Sequence, residues 1–205
     1  MARRSQHSLE EIKTMVLEAA ETLVIEVGAK ALTMRNVALE IGYTPGSIYM
    51  VFENMSDLIM HINARTLDAM IEQFEQVQNE SPEMCIGALA KRYLDYARNN
   101  FNRWNLLFEH RPLEDAKLPD WYMDRIDQAF VRFESEFARL VPERSEEQTK
   151  QAARALWGGI HGICMLALTG KFKEAGADEA GASVMLLVRN FLDGWRRQDS
   201  FAGTI

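Results

Sequence analysis

From Ile12 to Trp195 the apolar residues of this chain recur at every third or fourth position, and the period-two alternation of a half-buried strand is missing. A sequence patterned this way can hide its apolar surface only by packing helices on helices, which predicts an all-α fold. Ile12, Met15, Val16, Ala19, Ala20, Leu23 and Val27 set the pattern on the first helix. Ser8, with Glu11 three residues on, makes a capping box that starts it, and Gly28 ends it. A short second helix is predicted over about 34–41, with Thr33 as N-cap and Gly42 as stop. A third, capped by Thr44 with Pro45 in its first turn, runs to about 52, and a fourth begins behind Ser56 as a cap. Pro82, Pro112, Pro119, Pro142 and the Gly176 region divide the remainder into helices near 83–100, 103–111, 119–141, 146–171 and 178–199, about nine in all.

Hydrophobic residues at 47% and charged residues at 26% exclude wide disorder. The net charge of −7 excludes a globally basic nucleic-acid binder, so any such role needs a local face. The longest uncharged apolar run, 155–170, is sixteen residues, short of the roughly 20 that span a bilayer, and reads as a buried helix. The start, Met1-Ala2-Arg3-Arg4, turns polar and acidic by Glu10 and lacks the apolar core of a signal peptide, so a cytoplasmic location and no membrane partner are expected. Cys85 and Cys164 stand far apart without metal-site or redox spacing; both read as reduced, buried thiols, and no cofactor is expected.

The segment 33–58 carries the function. Two short helices joined by a tight turn behind a longer one fit a helix-turn-helix. Ala38 is small enough for close helix approach, Gly42 supplies the turn, and Ile48 locks the second short helix inward, with Leu32, Val37, Ile41 and Phe52 completing a small core. Thr44, Pro45, Gly46, Ser47, Tyr49 and Met50 are left for the outer face. The N-terminal part of such a helix enters the major groove. There hydroxyls can bond bases or phosphates, apolar groups can touch thymine methyls, and Tyr49 is suited to a phosphate oxygen. Thr33 and Arg35, at the start of the preceding helix, complete the expected contact set, and Arg3 and Arg4 could reach a minor groove from an N-terminal arm or stand as a solvated tail.

The run Gly42-Tyr43-Thr44-Pro45-Gly46-Ser47-Ile48-Tyr49-Met50-Val51-Phe52, followed by Asp57-Leu58, resembles the TetR/AcrR-family DNA-binding signature, and 32–38 is similar to the family's preceding helix. The resemblance covers about residues 8–60. It implies an N-terminal three-helix DNA-binding domain, 1–56, followed by a helical ligand-binding and dimerisation bundle, 57–205. It departs at Val51, where the family often has an aromatic residue or histidine, and at Met55, where it usually has a phosphate-binding lysine. Residues 155–162 resemble the Trp-x-x-x-His-Gly pattern of one C-terminal subclass of that family.

The C-terminal two-thirds is rich in aromatic residues and Met at helical spacing. Most read as core, but Trp104, Phe108, Trp121, His161, Cys164 and Met165 are candidates to line a pocket for an unknown small-molecule effector. His161, which interrupts the long apolar run, suits a carbonyl-bonded core histidine as well as a ligand contact. Small residues around Gly158 and the stripe Val184, Leu187, Val188, Phe191 and Trp195 would let the last two long helices pair with a second copy; alternatively the stripe covers the monomer's own core. The expected function is a ligand-responsive repressor that binds a palindromic DNA operator as a homodimer. The alternative is an all-helical small-molecule-binding protein or enzyme with weak or no DNA binding, although no catalytic motif supports an enzyme.

Overall fold

The computed structural model describes residues 7–110, 117–176 and 179–197. The described residues form ten α-helices and no strand: α1 Leu9–Val27, α2 Met34–Glu40, α3 Pro45–Ile48, α4 Met55–Glu75, α5 Pro82–Asn99, α6 Phe101–Glu109, α7 Asp120–Leu140, α8 Glu146–Leu168, α9 Lys171–Glu174 and α10 Ala180–Arg197. The addition to the expected set is the four-residue α9. It follows Gly170, whose φ of 79° turns the chain after α8.

The caps explain where the helices begin. The Ser8 hydroxyl accepts the Glu11 N–H at 3.2 Å, and the Ser8 N–H donates to Glu11 Oε2 at 2.6 Å. These bonds, the backbone one foremost, hold the exposed Glu11 carboxyl below its ordinary range. Ser145 and Gln148 make the same box at α8. At α4 the expectation needs correction. Asn54, not Ser56, receives the Asp57 N–H, at 3.0 Å, and Asp57 Oδ2 accepts the Glu53 N–H at 3.1 Å. Ser56 lies inside the first turn, 2.9 Å from His110 Nε2. Either residue can cap by type, and α4 begins at Met55, two residues before the start that a Ser56 cap would give.

The chain folds as two compact units, one of residues up to 68 with 100–123, the other of 69–99 with 124 onward. In the first, Ile12, Val16, Ala20 and Val24 of α1 pack on Leu32, Val37, Ile48, Phe52, Leu58, Ile62 and Leu106. Polar ties fasten α1 to α4 and α6. Glu21 pairs with Arg65 at 2.7 Å and Arg103 at 3.1 Å, and Asn102 donates to the Ile25 carbonyl at 2.9 Å.

In the second unit α10 lies against α5 and α8. Gly159 leaves room there for the Leu187 side chain: a Cβ would come within 2.7 Å of Leu187 Cδ2. Glu136 of α7, fully buried, is held by Arg132 at 2.7 Å and Arg139 at 2.6 Å. The same two guanidinium groups donate to the carbonyls of Val77 and Glu80, each at 2.9 Å, and so pin the segment between α4 and α5. No helix among the described residues is long and apolar enough to cross a membrane.

Candidate nucleic-acid interface

The elbow between α2 and α3 is built from its residues outward. Thr33 caps α2 by accepting the Asn36 N–H at 3.1 Å. Val37 and Ala38 are buried under α2, and the Tyr43 N–H returns to the Ala38 carbonyl at 2.9 Å. That return requires Gly42 at φ 71°, the left-handed region where a side chain is strained. Thr44 has the extended backbone of an N-cap, and Pro45 takes the first helical position. The Thr44 hydroxyl, however, pairs with the Ser47 hydroxyl at 3.2 Å rather than with a backbone N–H. The α-helix proper ends at Ile48, short of the expected 52. The Val51 and Phe52 N–H groups still reach the Ile48 carbonyl, at 3.0 and 2.9 Å, so the turn continues helically.

Ile48 and Phe52, four residues apart, face inward and are buried. Thr44, Pro45, Gly46, Tyr49 and Met50 are exposed and Ser47 is half-buried, while Thr33 and Arg35 are exposed at the start of α2. The structure thus brings eight of the sequence-identified contact residues to the solvent side of one elbow. Arg3 and Arg4 lie outside the described residues. Two partners of the elbow are not signalled by helical periodicity. His7 Nδ1 sits 2.6 Å from the Tyr43 hydroxyl, and the Lys13 ammonium stands 5.6 Å over the Phe52 ring.

A row of rings runs from this elbow into α7 within the first unit. Phe52 meets His61 edge-on at 5.3 Å, His61 lies 4.7 Å from Trp121, and Trp121 meets Tyr122 at 5.6 Å. Of the effector candidates, Trp121 is 40% exposed and ends in this row. Trp104 is fully buried and meets Phe108 at 5.2 Å. His61 and the buried Asn63 escape a reading based on apolar spacing, because both interrupt it.

The other three candidates lie in the second unit. His161 Nδ1 is 2.9 Å from the Tyr93 hydroxyl, and its ring stacks on Trp157 at 5.3 Å. The Tyr93 hydroxyl is thus one polar partner of His161, and burial holds the imidazole below its ordinary pKa. Cys164 is fully buried, which pushes its thiol up to about 12. Met165 is half-buried. Of the residues read as a pairing surface, Val184, Val188 and Trp195 are buried in the unit's own core, and Leu187 and Phe191 are half-buried. Gly158 is exposed with open space above it, and the exposed Leu166, Met185 and Leu186 lie on the same two helices, α8 and α10.

Comparison with known proteins agrees with this architecture. Residues 16–62 match the family model of bacterial regulatory proteins, tetR family, and 86–191 match that of the tetracyclin repressor-like C-terminal domain. HTH-type transcriptional regulators of Staphylococcus aureus strains bovine RF122 / ET3-1 and USA300 are each 31% identical over 70 residues, 34% of this chain. The match spans 38% of the length of those curated relatives. Among solved structures, a protein of unknown function from Rhodococcus sp. RHA1 superposes with a TM-score of 0.71 at 17% identity, covering 95% of this chain and 98% of that one. A possible TetR family transcriptional regulator from Streptomyces coelicolor A3(2) gives 0.68 at 13%, covering 90% and 98%. A TetR variant from Acinetobacter baumannii AYE, in complex with minocycline, gives 0.64 at 18%, covering 90% and 96%.

Proposed function

Because the chain belongs to the TetR family of bacterial transcriptional regulators, we propose that it represses transcription by binding a palindromic operator as a homodimer, and that a small hydrophobic effector releases it. The observation that carries this reading is the split of one short turn. Ile48 and Phe52 anchor it in the core while Thr44, Tyr49 and Met50 remain open to solvent, with Ser47 half-buried among them. A rigid turn with a free outer face is what insertion into a major groove needs. In this reading 1–56 binds DNA and 57–205 binds effector and partner, and the protein works in the cytoplasm, on the nucleoid when bound.

Pairing through the outward sides of α8 and α10 would use Gly158, Leu187 and Phe191 with Met185 and Leu186, supported from beneath by Val184, Val188 and Trp195. Two such helices per copy form a self-complementary surface. The aromatic character of Trp104, Phe108 and Trp121 in the first unit, and separately of His161 beside Cys164 and Met165 in the second, favours a planar or apolar effector. One protein of the same fold is known in complex with minocycline.

The test is selection of bound duplexes from a random pool by the purified protein. The expected product is an inverted repeat whose half-sites lie one or more helical turns apart, about 34–36 Å per turn. Recovery of unrelated sequences without symmetry would refute the reading.

A further inference from the structure

The outer face of the elbow has an unusual chemistry for a base reader. From Ile41 to Phe52 the chain holds no lysine, arginine, asparagine, glutamine, aspartate or glutamate. Bidentate recognition of guanine needs Arg or Lys, that of adenine needs Asn or Gln, and cytosine is read by an acidic acceptor. None of these can come from this turn. Of its four hydroxyls, that of Tyr43 is engaged by His7 and that of Tyr49 is suited to a phosphate, while those of Thr44 and Ser47 share one hydrogen bond with each other at 3.2 Å. Beside them stands a fully flexible apolar side chain: Met50 is 64% exposed, three residues beyond Ser47, with its N–H on the Ser47 carbonyl. Residues three apart in such a turn share a face, so Thr44, Ser47 and Met50 form one row. Arg35, an exposed cation, lies at the start of α2, the helix that crosses the backbone rather than entering the groove.

Building on the operator-binding reading, we propose that α3 reads its half-site chiefly through thymine 5-methyl groups, and that Met50 is the residue that senses them. A methyl on the major-groove edge is the one base feature that an apolar side chain distinguishes. A row with one methionine and two mutually bonded hydroxyls is matched to thymine and lacks the bidentate donor that reads guanine. The thioether is flexible and polarizable, so it can fill the irregular space beside a methyl group without a fixed register.

The experiment uses the full-length protein and the duplex recovered by selection. Each thymine of a half-site is replaced in turn by deoxyuridine, which deletes only the methyl group. At one or two positions per half-site the wild type should lose about fourfold in affinity for each methyl removed, the amount that burying one methyl-sized group commands. Met50→Ala should bind the thymine and deoxyuridine duplexes equally at those positions. Because Met50 is largely exposed, this variant should keep the wild-type unfolding midpoint. Replacing the sensed thymine·adenine pair by 5-methylcytosine·guanine should retain more affinity than cytosine·guanine, since only the methyl distinguishes the two. Selective binding with no deoxyuridine effect, or an effect that persists in Met50→Ala, would overturn the methyl reading and leave the operator reading standing. Failure to select any site would overturn both.

Discussion

The Tyr93 hydroxyl lies 2.9 Å from Nδ1 of His161, joining α5 to α8 in the middle of one compact unit. Burial holds the His161 imidazole below its ordinary 6.5, and does the same to His110 beside Ser56. The unfolded chain therefore takes up these protons at a higher pH than the folded one. Between the two values the unfolded state binds more protons, so stability rises with pH there and is lost as pH falls through the folded value. The urea midpoint should drop from pH 7.5 to 5.5, and His161→Phe, which keeps the stack on Trp157 but cannot titrate, should flatten that slope. An unchanged slope would remove His161 from this account.

Glu136 is buried between Arg132 and Arg139, which are 32% and 48% exposed in their side chains. Glu136→Ala leaves two cations without a counter-charge and loosens their hold on the Val77 and Glu80 carbonyls. Removing one member of a fully buried pair costs about 3–5 kcal/mol, but here both arginines can rehydrate, so about 2 kcal/mol is expected. Denaturant unfolding measures it, and Arg139→Ala should cost less because Arg132 remains on Glu136.

Gly42 has φ 71° and nothing within 4 Å of where a Cβ would stand. Only backbone strain opposes a side chain there. Gly42→Ala should cost about 1–2 kcal/mol, and Gly42→Asn less, since asparagine visits the left-handed region more readily. Equal costs for the two, read from thermal unfolding, would indicate a steric cause instead.

Cys85 and Cys164 are both fully buried, and the Cys164 thiol is pushed up to about 12. Because the thiolate is the reactive form, neither cysteine should react with a disulfide reagent in the folded protein at pH 8, and both should react on unfolding. Fast labelling of the native protein would contradict the packing of α5 and α8.

The long helices, the caps at Ser8 and Thr33 and the elbow are legible in the sequence because each rests on local chemistry. Ser8, Thr33 and Gly42 act on neighbours within a turn or two, and the four-residue spacing of Ile48 and Phe52 marks the inward side of the elbow. The rest depends on residues distant in sequence. Nothing near Glu136 announces that Arg132 and Arg139 will reach the carbonyls of Val77 and Glu80. Likewise Val184, Val188 and Trp195 have the same stripe spacing whether they face their own core or a second copy; only the packing of α10 on α5 and α8 shows that this chain buries them. Asn54 and Ser56 are equally good caps by type, so the choice between them also required the structure.

Tyr49 and Arg35 should be separable by their salt dependence. Tyr49 is exposed on the elbow and neutral, suited to donating its hydroxyl to a phosphate oxygen. Tyr49→Phe should weaken binding to all duplexes alike, and leave the slope of log affinity against log salt unchanged, because no counterion is released by a neutral donor. Arg35→Ala should also weaken all sequences alike, but should lower that slope by about 0.9 for each phosphate its guanidinium had neutralised. Thr44→Ala and Ser47→Ala, which alter the groove-facing row, should instead change affinity more at some base positions than at others. Titrations at several salt concentrations on the selected duplex and on a scrambled one distinguish the three behaviours. If Tyr49→Phe shifts the slope, or Ser47→Ala weakens both duplexes equally, the elbow meets DNA in a different orientation from the one its exposed face suggests.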